Sequence, residues 1–142
     1  MQHVIVERDF VKPPERVFAF LAEHENLEML FGAKIRRLSD GEDGQRNGVG
    51  SVRELRVGPL PPFEETIIEF VPGELIRYTI TKGSPLRHHA GEIRLSPSEF
   101  GDGTHLRYEI AFDGVVPGVA AIVAAGLRRN VPAGLERVDG SA

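Results

Sequence analysis

The chain has 142 residues, 41% hydrophobic and 27% charged, which suits one compact domain (1–142) able to bury a core without disulfides or metal. It contains no cysteine, so disulfides, thiolate metal sites and cysteine nucleophiles are excluded. The formal net charge of −4 comes from interleaved acids and bases, and Arg36-Arg37 and Arg128-Arg129 are pairs rather than patches, which argues against nucleic acid as a partner.

Residues 2–10 (QHVIVERDF) read as a strand with Val4, Val6 and Phe10 on one side. Pro13-Pro14 ends it, and Pro14 suits the first turn of a helix that runs to about Ala22, with Val17, Phe18 and Leu21 at helical spacing. A second short helix follows at Asn26–Phe31, broken by Gly32. From Ala33 the pattern changes to strands: Lys34–Leu38, Val49–Val57, Phe63–Val71, Leu75–Thr81, Leu86–Ser96 and Thr104–Phe112. Polar turn material at Ser39–Gly48 is expected to be the most mobile loop, and Gly58-Pro59-Leu60-Pro61-Pro62 a stiff one. Short connections make an antiparallel meander the simplest topology.

The chain closes on a long helix, Val116–Val138. Val119, Ile122, Val123, Leu127, Val131, Leu135 and Val138 form its apolar face. Between them lie Ala120, Ala121, Ala124, Ala125 and Gly126, which fill little space. Such a helix either packs very close to the sheet or leaves a gap beside it, and gaps of that kind hold ligands. Pro132 is expected to kink the helix or to end it near Asn130. No apolar run reaches the length of a membrane span and the first residues lack a signal-peptide layout, so the expected address is the cytoplasm.

Strand parity supplies the inward residues. On the strand from Val49, parity turns Ser51, Arg53 and Leu55 inward, and an inward guanidinium needs a carboxylate or an anionic ligand. Parity on the next strand, read from Phe70, turns Ile68, Thr66 and Glu64 the same way, which makes Glu64 the expected partner of Arg53. Glu65 then belongs with Glu7, Asp9, Glu69 and Glu109 on the solvated outer face. Ile93 and Leu95 send Gly91, His89 and Arg87 inward on the following strand. His89 is the histidine with the best claim on a cavity; as a neutral imidazole it could take an acidic proton from a β-dicarbonyl carbon, with Arg53 stabilising the enolate. Tyr78, Tyr108 and Phe112 also point inward, and each tyrosine could donate to a ligand carbonyl. His88-His89 is a poor metal pair, since neighbours on a strand face opposite ways, and no metal or cofactor is expected.

Four segments in this order, PPERVFAFL (13–21), GVGSVR (48–53), EFVPGELIRY (69–78) and GDGT (101–104), resemble the superfamily of START domains, polyketide cyclases/dehydratases and plant pathogenesis-related allergens. The likeness spans the chain and is strongest to the bacterial single-domain polyketide cyclase/dehydrase-like branch. It implies an α+β helix-grip fold: a strongly curved antiparallel sheet of about seven strands wrapped around the long C-terminal helix, with two short helices after the first strand. Leu27, Leu30 and Phe31 stand where relatives often carry a tryptophan. The expected function is binding of a small hydrophobic or aromatic molecule between sheet and helix, by Arg53, Glu64, Tyr78, Arg87, His89, Tyr108, Phe112 and Ile122. The alternatives are a cyclase/dehydratase using His89 and Arg53, and a protein-interaction module with a collapsed cavity. The expected oligomeric state is a monomer or a weak homodimer.

Overall fold

The computed structural model describes residues 1–142. Seven strands form one antiparallel sheet in the order β1-β7-β6-β5-β4-β3-β2: β1 (Gln2–Phe10), β2 (Lys34–Ser39), β3 (Val52–Arg56), β4 (Phe63–Val71), β5 (Leu75–Lys82), β6 (Leu86–Pro97) and β7 (Thr104–Gly114). Only the β1–β7 pairing is non-sequential, with Val4 opposite Ile110 and Phe10 opposite Thr104. Register shifts on β2, β4 and β6 insert extra residues, and such bulges bend a sheet. β7 alternates along its length, burying Thr104, Leu106, Tyr108, Ile110 and Phe112 on the concave face.

Helix α1 (Pro14–Ala22) starts as its prolines dictate. Pro13 is extended, Pro14 takes the first turn, and the Pro13 carbonyl accepts the amides of Arg16 and Val17 at 3.0 and 3.2 Å. Val17, Phe18 and Leu21 are its buried face, and Phe18 meets Phe70 edge-on with ring centroids 5.2 Å apart. A 3₁₀ turn (His24–Leu27) leads into the single turn α2 (Glu28–Phe31), which Gly32 ends in the left-handed conformation. The Ser39–Gly48 loop is tied down by side chains: Arg37 donates to the Arg46 carbonyl and the Asn47 amide oxygen, and Arg46 and Asn47 donate to Glu23.

The C-terminal helix α3 (Val119–Leu135) runs through Pro132 rather than ending near Asn130. Proline removes the amide that would bond the Arg128 carbonyl, but Arg128 is exposed and water can take its place. A one-turn helix, α4 (Val138–Ser141), follows; its Asp139 carboxylate accepts the amides of Val11 and Lys12 at 3.1 Å. No helix is long and apolar enough to cross a membrane.

The two halves of α3 dock differently. In the second half Val131 and Leu135 are fully buried, each contributing about 1.5–3 kcal/mol. Gly134 lies so close to α2 that a Cβ there would sit 2.4 Å from the Met29 carbonyl oxygen. In the first half Val119 and Val123 are half-buried, and Ile122 is 74% exposed. A Cβ on Gly126 would meet nothing within 4 Å. The small residues therefore serve two ends: contact with α2 at one, open space at the other.

Candidate functional site

Arg53 points inward from β3, 2% exposed, as its parity requires. Its partner is Glu65, not Glu64. Nε donates to Glu65 Oε1 at 2.9 Å, while Nη2 lies 2.8 Å from the same oxygen but off the line a hydrogen bond needs. The reason for the exchange is on β4, where Ile68 is an extra residue between Ile67 and Glu69 and breaks the simple alternation. Phe70 is inward, but two residues back Ile68 is exposed, and Glu65 and Ile67 take the buried face. Glu65 is 4% exposed, against the expectation of a solvated outer-face acid. Glu64 turns outward, 3.7 Å from Lys82.

The rest of Arg53 is also occupied. Its Nη1 donates to His24 Nδ1 at 3.2 Å, which leaves the His24 proton on Nε2, facing Ser51 Oγ at 3.1 Å. The Tyr78 ring covers the guanidinium with its centroid 4.5 Å from Cζ, and the Tyr78 and Tyr108 hydroxyls share a short hydrogen bond. Burial by itself would lower the Arg53 pKa, but Glu65 and the two phenols outweigh it and the net shift is upward. Burial pushes both phenols above their usual value. This polar core stays charged at one end and neutral at the other.

Above that core the sheet and the first half of α3 leave a cavity of about 540 Å³. Of its 19 lining residues 14 are hydrophobic, among them Phe31, Leu55, Val57, Phe63, Ile80, Leu86, Ile110 and Phe112. The polar side chains on it are Glu65, Tyr78 and His89 from the strands, and Arg129 and Asn130 from α3. Arg53 and Tyr108 are not in its wall; they lie behind Glu65 and Tyr78. Ile122 stands at the mouth rather than packed inside.

His89 faces the cavity on the alternation that runs from Ile93 through Gly91, and the irregularity begins beyond it. The β6–β7 register shifts between Arg87 and Ala90, and His88 adopts φ +53°. That extra residue cancels the alternation below His89, so Leu86 lines the cavity and Arg87, expected inward, is exposed. His88 is exposed and faces Asp113 at 3.1 Å, whereas the His89 side chain is 5% exposed. The Ile80 amide donates to His89 Nδ1 at 3.1 Å, so the imidazole proton sits on Nε2. Nε2 lies 3.7 Å from Glu65 Oε2. Burial lowers the His89 pKa, helped by Arg53 and opposed by Glu65, and keeps the ring neutral. With its one free lone pair spent on a backbone amide, His89 is a donor to the cavity and not the proton acceptor expected from sequence.

His24 carried no expectation at all. It is fully buried, and burial, followed by the nearby Arg53 and Arg37, pushes its pKa down to about 3, with Glu23 opposing. An unfolded histidine titrates near 6.5, so below that pH the unfolded chain binds a proton that the folded chain refuses. Its stabilising share is full above about pH 6.5 and is lost progressively toward pH 3, with a slope of ~1.4 kcal/mol per pH unit. Urea denaturation between pH 7 and pH 4.5 should show this loss, and His24→Gln should flatten the slope by about that amount. An unchanged slope in the variant would remove His24 as the group responsible.

Residues 1–140 match a family described as polyketide cyclase/dehydrase and lipid transport. No curated protein matches. Among solved structures, the Zhui aromatase/cyclase from Streptomyces sp. R1128 is similar at 22% identity and TM-score 0.74, over 99% of this chain and 92% of that one. A protein from Thermus thermophilus is similar at 18% identity and TM-score 0.74, over 98% and 95%. The XoxI protein of Bacillus cereus follows at 14% identity and TM-score 0.73, over 99% and 95%. At these identities the likeness concerns the fold, and the curved sheet around α3 is the helix-grip architecture.

Proposed function

Because the chain belongs to the polyketide cyclase/dehydrase and lipid transport family, we propose that it binds a small hydrophobic or aromatic molecule between the sheet and the first half of α3. The observation that carries this reading is the cavity: about 540 Å³, predominantly apolar, with a few convergent polar groups. The volume also speaks against an interaction module with a collapsed interior.

The neutral fluorophore N-phenyl-1-naphthylamine tests the reading. Wild type should bind one equivalent with enhanced emission, and Gly126→Leu should weaken binding at least tenfold. The substitution places an isobutyl group on a backbone that faces empty space, and it replaces a helical glycine, so the melting temperature should hold or rise. Unchanged affinity in the folded variant would place the fluorophore elsewhere and end the proposal.

Catalysis is the second reading, and Glu65 favours it. An aldol-type cyclase needs a proton acceptor beside an apolar guest, and Glu65 Oε2 is the carboxylate oxygen left facing the cavity. In that reading Arg53 holds Glu65 in place and His89 supplies a hydrogen bond to the developing oxyanion.

A further inference from the structure

The floor of the cavity carries an acceptor and a donor that face each other without touching. Glu65 offers Oε2, because Oε1 is taken by Arg53. His89 offers Nε2–H, because Nδ1 is taken by the Ile80 amide. The two atoms are 3.7 Å apart, beyond hydrogen-bond length, and both side chains are more than nine-tenths buried in the cavity wall. The third polar group there, the Tyr78 hydroxyl, is already committed to Tyr108. An oxygen atom about 2.8 Å from each of Oε2 and Nε2 can sit between them on the cavity side. To satisfy both, that oxygen must donate once and accept once, which is what a hydroxyl does. A carbonyl or ether oxygen would face the carboxylate lone pairs, and a ligand carboxylate would add like charge against Glu65.

We propose that Glu65 and His89 form a hydroxyl-reading pair that selects neutral ligands bearing an O–H group. This rests on the reading of the cavity as a ligand site and names the group the site distinguishes. Arg53 and the Ile80 amide are the positioning partners: each consumes the atom that would otherwise blur the pattern. Neither is offered to the ligand.

The test uses the full chain and three probes of nearly equal shape, 2-naphthol, 2-methoxynaphthalene and naphthalene, each titrated against bound N-phenyl-1-naphthylamine. 2-Naphthol should displace the fluorophore about tenfold more tightly than either of the others, and 2-naphthoate should compete more weakly than 2-naphthol. His89→Phe, which keeps a ring and removes the donor, should reduce the naphthol preference to threefold or less while naphthalene binding persists. Equal affinities for the three neutral probes would overturn the pair and leave the apolar cavity standing. Displacement by none of them would overturn both. A naphthol preference that survives His89→Phe would overturn the assignment to this pair. If that variant does not fold, the ranking of the probes on wild type decides alone.

Discussion

Arg53→Met should lower the unfolding free energy by about 3–5 kcal/mol, a large share of what a domain of this size possesses. The substitution strands the Glu65 carboxylate in the cavity floor without its counter-charge. It also takes the donor from His24 Nδ1 and the cation from beneath the Tyr78 ring. Glu65→Leu should cost a comparable amount, because it leaves a guanidinium unpaired at 2% exposure. The double variant should recover most of the loss, since two apolar side chains bury without demanding each other. Guanidinium denaturation of the four proteins closes the cycle. Simple additivity would mean that the two residues do not depend on one another, and the account of the polar core would fall with it.

Gly91→Ala should destabilise by about 3 kcal/mol, although an ordinary strand glycine gains roughly 0.5–1 kcal/mol from the same change. The new Cβ would lie 2.2–2.6 Å from ring atoms of Tyr78, which crosses β6 at this point. Moving the ring aside into the cavity would break its stacking on Arg53 and its hydroxyl bond to Tyr108. Tyr78→Leu in the same chain should make the alanine much less costly, a coupling that denaturation midpoints will show. A stabilising or neutral Gly91→Ala would mean that Tyr78 does not lie across the strand.

Much of this arrangement was legible from periodicity. β7 alternates without interruption from Thr104 to Phe112, so Tyr108 and Phe112 could be turned inward correctly. Ser51, Arg53 and Leu55 likewise follow plain parity. Parity fails where an extra residue interrupts the alternation with no glycine or proline to announce it. On β4 the extra residue is Ile68, between Ile67 and Glu69, which exchanges the two glutamates. On β6 the shift lies at Arg87/Ala90 and its left-handed residue is a histidine, which turned Arg87 outward. His24 was missed for a different reason. It sits in a polar run, His24-Glu25-Asn26, that reads as surface loop, and only the folded chain brings it to Arg53. The one signal available was indirect: a guanidinium in a core needs more acceptors than one carboxylate provides.

The uneven seating of the C-terminal helix divides labour along a single element. Residues from Val131 onward, with Ala124, anchor the scaffold, whereas Ile122, Val123, Ala125 and Gly126 border the void. Substitutions in that early stretch can therefore reshape what is admitted while the framework keeps its strength. One fold of this kind can be retuned for many different guests by editing two turns of helix.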